Sequence, residues 1–223
     1  MKWLISSLFL LAALVSPAFA DKSDISPVIS RALAQPKSLS LDLRFRDEAN
    51  HARWRVEPSE GGGLRCTFRF GLEGGMRREE SILTAVLGSS GRLEEISVEV
   101  VRGRETLAGR GRVRGPDLVW ERWSELRGQR EPGETSRRAW KPGALTLEVA
   151  ALLLPTLPEL PAEGRCTIFD PHRLELAPAT WKRSKERFEL KVEGAPPVVV
   201  TLREGVPERV DLGPGARLER VRR

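Results

Sequence analysis

Apolar and polar residues alternate along most of the chain. Residues 38–46 read SLSLDLRFR and set Leu39, Leu41, Leu43 and Phe45 on one side. That is the signature of a strand with one buried face. Residues 64–70 (LRCTFRF) repeat it with Leu64, Cys66, Phe68 and Phe70. The same period predicts strands at 81–87, 93–102, 106–113, 117–123, 136–140, 165–170, 173–176, 180–183, 187–192, 198–203 and 217–221. Turn residues separate them, among them Gly61-Gly62-Gly63, Gly74-Gly75, Gly88-Ser89-Ser90-Gly91, Gly115-Pro116 and Gly194-Ala195-Pro196-Pro197. Parallel neighbours would need a helical crossover between most pairs, and no such segments are present, so the pattern predicts an antiparallel meander.

Two segments depart from the alternation. Residues 25–34 (ISPVISRALA) place Pro27 in a first helical turn and Ile25, Val28, Ile29 and Leu33 on an apolar stripe, which predicts a short N-terminal helix. Residues 143–154 (GALTLEVAALLL) lie between Pro142 and Pro155 and are apolar all round. A surface helix would keep a polar side. Leu147 and Leu152 are five residues apart, about 140° around a helix, so they cannot both face one flat sheet well. Two packed layers, or a sheet and a ligand, would satisfy such a segment, and a core strand or helix without any ligand is the plainer alternative.

Length and composition set the class. A chain of 223 residues with 40% hydrophobic content fits one globular domain and excludes collagen and disorder. No run of 18 apolar residues occurs, which excludes a polytopic membrane protein. At the N-terminus, Lys2, an apolar stretch from Leu4 to Val15, and Pro17-Ala18-Phe19-Ala20 before Asp21 read as a secretory signal peptide over residues 1–20. The stretch is too short to span a bilayer, and no Cys follows the cleavage site to take a lipid. The expected organisation is a signal peptide (1–20), an N-terminal helical segment (21–37) and a single antiparallel β domain (38–223) with its central helix at 143–154. The expected location is the periplasm or beyond it, with no transmembrane segment after cleavage.

Charge and cysteine content narrow the chemistry. Lys and Arg number 37 against 31 Asp and Glu, and 30 of the 37 are Arg. They interleave with acids, as in Arg102, Arg104 and Glu105, so no basic block forms and nucleic acid is not an expected partner. Scattered Arg could still meet anionic lipid head groups or acidic glycans. Cys66 and Cys166 occur in the similar strings RCTF and RCTI. In an oxidising compartment an isolated pair predicts one disulfide, and closing a loop of about 100 residues would stabilise by on the order of 4.7 kcal/mol. Two buried free thiols are the alternative.

Catalytic constellations are incomplete. His51 and His172 are far apart in sequence, and His172 follows Asp170-Pro171 in a turn-like string. No G-x-S-x-G elbow is present. Glu79-Glu80 and Glu94-Glu95 would point to opposite faces of a strand. Gly109-Arg110-Gly111-Arg112 lacks the strand-loop-helix context and the Lys of a phosphate cradle. The expectation is a protein that is not an enzyme and needs no metal or cofactor.

Five tryptophans follow the signal segment: Trp54, Trp120, Trp123, Trp140 and Trp181. With the dozen predicted strands, the central helix and the strings IFDPHRLEL, ATW and FELKVEG, residues 38–221 resemble the half-barrel proteins grouped with the bacterial outer-membrane lipoprotein carriers. The resemblance implies a mainly β fold: a large curved antiparallel sheet, or half-barrel, cupping a lid helix over a cavity that holds acyl chains. The lid would be residues 143–154. Phe68, Phe70, Trp120, Leu147, Leu152, Phe169 and Trp181 are the expected cavity lining, with Arg at the rim for a head group. The expected function is thus a non-catalytic carrier or binding module for a lipid or lipoprotein. The alternative is a structural domain that binds another envelope protein through an edge strand.

Overall fold

The structure is a computed structural model that describes residues 24–33, 38–45, 51–74, 77–212 and 217–221. The signal segment 1–20 lies outside them. Fifteen strands among the described residues form one sheet: β1 (Leu39–Phe45), β2 (His51–Pro58), β3 (Leu64–Gly74), β4 (Arg77–Leu87), β5 (Leu93–Arg102), β6 (Glu105–Arg114), β7 (Asp117–Leu126), β8 (Gln129–Ala139), β9 (Leu145–Thr146), β10 (Glu163–Asp170), β11 (Glu175–Arg183), β12 (Arg187–Val192), β13 (Val198–Arg203), β14 (Val206–Asp211) and β15 (Arg217–Arg220). The helices are α1 (Ser26–Ala32) and α2 (Leu147–Leu153). The chain is therefore mainly β, with one large curved sheet, a short N-terminal helix and a central helix.

The strand order is β8 through β1, then β15 back through β9. Two meanders are thus joined by the β1–β15 pair. Every pairing is antiparallel except β9 with β10. The edge strands β8 and β9 are consecutive in sequence, and the six Cα steps from Ala139 to Leu145 can cover only about 20 Å. A fifteen-stranded sheet meets that limit only by curling until its edges face each other. Aromatic rings fill this seam: Trp120 of β7 and Trp140 both meet Phe169 of β10 edge-on, at centroid distances of 6.0 and 5.4 Å.

Buried alternation runs inside the curl, as in β2, where Ala52, Trp54 and Val56 are buried between exposed neighbours. The outer face carries cross-strand ion pairs, among them Arg53–Asp42 at 2.6 Å, Arg69–Glu80 at 2.9 Å and Arg110–Glu95 at 2.6 Å. Exposed pairs of this kind contribute about 0–1 kcal/mol each. Their interest is that they absorb much of the interleaved Arg.

α1 closes one end. Ile25, Ile29 and Leu33 are buried, and Ser30 Oγ donates to Ser89 O at 2.9 Å in the β4–β5 turn. Gly91 in that turn has φ +75°, and a Cβ there would lie 2.3 Å from Ser26 O, so only glycine lets the helix approach. The β5–β6, β7–β8 and β10–β11 turns stand at the far end.

The central helix is shorter than the sequence predicts. Leu145 and Thr146 extend to pair with β10, and Thr146 Oγ1 caps α2 by accepting from Val149 N at 3.4 Å. Leu154–Thr156 form a 3-10 turn containing Pro155. Val149 through Leu154 are all buried, which accounts for the all-round apolar sequence.

β2 and β14 were not among the predicted strands. β14 contains Pro207, opposite the register shift at Thr201/Leu202 where a proline is tolerated. Of the predicted strand 173–176 only Glu175 and Leu176 belong to β11, with Arg173 and Leu174 in the preceding turn, while 180–183 falls wholly in β11, which continues through Pro178. β12 pairs only from Ala179 onward, so no ladder donor is missed there.

The predicted Cys66–Cys166 disulfide is corrected: both cysteines are free and buried. Cys66 in β3 stands opposite Val56 and Ala85, Cys166 in β10 opposite Ala179, and seven strands lie between β3 and β10 along the sheet. Alternation turns both thiols inward, but it does not bring them together. Burial pushes both thiols up to about 12, so neither is a ready nucleophile.

Candidate functional site

The inward face changes character along its height in the first meander. Near α1 it is closed: Leu64, Cys66, Leu83, Ala85, Leu87, Ile96 and Leu118 are buried. Toward the far end the same rows open and mix apolar with polar side chains: Ser81 stands between Phe70 and Val100, and Arg122 and Ser124 lie between Trp120 and Leu126. On β3, Cys66 gives way to the half-buried Phe68 and Phe70, which stack at 6.4 Å. On β5, Val98 gives way to Val100, and on β6 the row ends in Leu107 at 40% exposure. On β7 it ends in Leu126 at 50% exposure. Leu107 stands opposite Ser124 and Leu126 opposite Glu105, so the two leucines are diagonal neighbours on one face. They are the large apolar side chains most exposed among the described residues.

Trp120 marks the floor of this open half. Its indole lies across two cross-strand glycines: a Cβ at Gly111 would come within 2.6 Å of Cε3, and one at Gly109 within 2.4 Å of Cζ2 and 3.1 Å of Nε1. Gly111 stands opposite Trp120, and Gly109 opposite Arg122. Nε1 therefore sits on the side toward the far end. Trp120 is buried, and its Nε1 has no hydrogen-bond partner.

Across the seam is Glu148, in the first turn of α2. Its Oε2 is enclosed and has no partner, so the exposure that the residue retains belongs to its other atoms. Burial pushes its carboxyl above the usual range; hydrogen bonds from its own backbone and Thr146 and the charge of His172 oppose this, and Asp170 adds to it. Asp170 Oδ1 accepts from the backbone N of His172 at 2.8 Å and of Arg173 at 3.2 Å, which fixes the β10–β11 turn. Arg122 Nη2 reaches over from β7 and donates to His172 O at 3.3 Å. Trp120, Arg122, Glu148, Asp170 and His172 thus form a polar belt at the top of the seam.

The predicted cavity residues divide into three groups. Phe68, Phe70 and Leu147 are half-buried. Trp120 and Phe169 touch at the seam. Leu152 and Trp181 are packed in the core, Trp181 lying against Gly164 with Nε1 donating to Pro161 O at 3.4 Å. Val100, Leu107, Leu126 and Glu148 were not among the predicted residues. Glu148 was visible as the lone acid in GALTLEVAALLL.

Other features have structural roles. His51 lies over Gly71, where a Cβ would come within 2.6 Å of its ring. Trp123 carries Arg130, whose guanidinium sits 4.3 Å above the ring. A groove of about 710 Å³ at the α1 end, between Ser184–Glu186 and Arg203–Gly205, has mixed charge. Its Arg183 donates to Leu157 O and Leu160 O. Edge strand β8 includes Pro132 and a register shift against β7, features that discourage addition of a further strand. No group of three or more His, Cys, Asp or Glu among the described residues is placed to hold a metal, and no described helix is long and apolar enough to cross a membrane.

No family model and no curated protein matches the chain. Among solved structures, it is similar to the crystal structure of a β-barrel-like protein of a domain of unknown function, DUF1849, from Brucella abortus. That likeness has a TM-score of 0.47 and 11% identity and covers 82% of this chain and 95% of that one.

Proposed function

We propose that this protein is a non-catalytic, exported binding module of the half-barrel kind grouped with the bacterial lipoprotein carriers, and that it takes an apolar acyl ligand on the open half of its inward face. One observation carries the reading: where the inward face opens it still carries large apolar side chains, Phe68, Phe70, Val100, Leu107 and Leu126, set among Ser81, Arg122 and Ser124. Exposed apolar side chains gathered on one face commonly mark a binding surface. Acyl chains gain by leaving water at about 0.8 kcal/mol per buried methylene, and phenyl, valyl and leucyl side chains provide the surface. The signal-like N-terminus favours an envelope location, where such ligands are abundant.

Native mass spectrometry of protein purified from a bacterial envelope should show added lipid mass, and the purified protein should take up a fluorescent fatty-acid probe. Leu107→Asp and Val100→Asp should weaken uptake by tenfold or more without loss of the β-sheet circular dichroism. A wild-type protein that carries no lipid and takes up no probe would overturn the reading.

A further inference from the structure

Four enclosed side-chain polar atoms among the described residues have no hydrogen-bond partner: Ser26 Oγ in α1, Arg209 Nε in β14, and two that belong to the belt above the seam, Trp120 Nε1 and Glu148 Oε2. Buried polar groups are ordinarily paired, because an unpaired donor or acceptor keeps the full cost of leaving water. The two are linked through the seam. Trp120 packs on Phe169, Phe169 is in register with Thr146, and Thr146 bonds to Glu148. Immediately above, Arg122 bridges to the His172 carbonyl. An indole N–H can only donate, whereas a carboxyl that has kept its proton can both donate and accept.

We propose that Trp120 and Glu148 are the head-group end of the site, and that the ligand they select is a free fatty acid held by its carboxyl group. This rests on the acyl-binding reading and names its ligand class. The ligand's two oxygens satisfy both orphans: one accepts from Trp120 Nε1, and the other shares a single proton with the Glu148 carboxyl. The negative charge that this pair carries falls beside the Arg122 guanidinium and His172, which also offset the nearby Asp170. The tail then runs along Phe68, Phe70 and Val100 toward the exposed leucines. An esterified chain has no proton to share and no charge for that rim to meet. The site therefore distinguishes acid from ester.

The test compares palmitic acid with methyl palmitate by displacement of a fluorescent probe from the full chain. Wild type should prefer the acid by roughly tenfold or more. Trp120→Phe and Glu148→Leu should each bring the ratio toward one while ester binding persists, and Glu148→Gln, which keeps a donor and an acceptor, should retain part of the preference. Equal affinity of wild type for acid and ester, or a ratio unmoved in both Trp120→Phe and Glu148→Leu, overturns the head-group assignment and leaves the acyl-binding reading standing. Failure to bind either ligand overturns both.

Discussion

Gly111→Ala is the sharpest test of the Trp120 platform. Gly111 does not have the positive φ that penalises alanine, so the backbone accepts the substitution, and alanine should gain about 0.4–1 kcal/mol by restricting the unfolded chain. Against this, the new methyl would lie 2.6 Å from Trp120 Cε3 and 2.9 Å from Leu118 Cδ1. Neither neighbour yields easily: Leu118 is 0% and Trp120 2% exposed, and Phe169 packs edge-on with the indole. Overpacking of this kind costs about 1–3 kcal/mol, and two close contacts on rigid neighbours put it at about 2–3, leaving a net loss of about 1–2 kcal/mol. For a domain of this size that lowers Tm by about 2–8 °C. In a Trp120→Leu background only the Leu118 contact remains, and Gly111→Ala should cost clearly less than in wild type. Thermal melts of the four proteins measure the coupling. The same penalty in both backgrounds would refute the platform geometry.

Further tests address the thiols and α2. Cys66 and Cys166 should resist alkylation in the folded protein at pH 8 and react after denaturation; fast native labelling of either would contradict their burial. Because burial raises both thiols to about 12, the unfolded chain loses those protons first, so stability should be full below about pH 9 and fall by about 1.4 kcal/mol per pH unit per thiol between there and pH 12. Cys→Ala variants should flatten that slope in pH-dependent melts. Leu152→Asp should abolish folding, as an unpaired buried carboxylate costs several kcal/mol, whereas the half-buried Leu147→Asp should leave a folded protein by circular dichroism. Thr146→Ala removes the cap of α2 and should cost about 1 kcal/mol in denaturant melts.

The sheet was legible because alternation in segments such as SLSLDLRFR and LRCTFRF follows from one buried face, a local constraint. The closure was not, because it depends on β8 and β9 lying at opposite edges, and that order leaves no local mark. The disulfide expectation failed for the same reason: inward-facing positions were correctly placed for Cys66 and Cys166, but their lateral separation was unknown. Pro178 and Pro207 hid parts of β11 and β14, since a proline reads as a break unless its ladder partners are known. At the candidate site, aromatic residues such as Phe68 and Phe70 stand out in sequence, while Val100 and Leu107 look like ordinary core positions. Only their height along the sheet separates them.

The strand order also dictates when the fold can be finished. β1 through β8 pair with neighbours in sequence, and so do β10 through β15, so each meander can assemble as its residues emerge during synthesis. The ladder that joins them has β1 on one side and the four-residue β15 on the other, the first and last of these strands in sequence. Until β15 arrives, β1 and β14 both present bare edges at what will be the middle of the sheet. A nascent chain of this design therefore carries its most adhesive edges through most of its production, and loss of a few residues around Arg217–Arg220 would leave two half-sheets rather than one shortened sheet. Until that ladder closes, the bare edges of β1 and β14 are open to pairing with another chain.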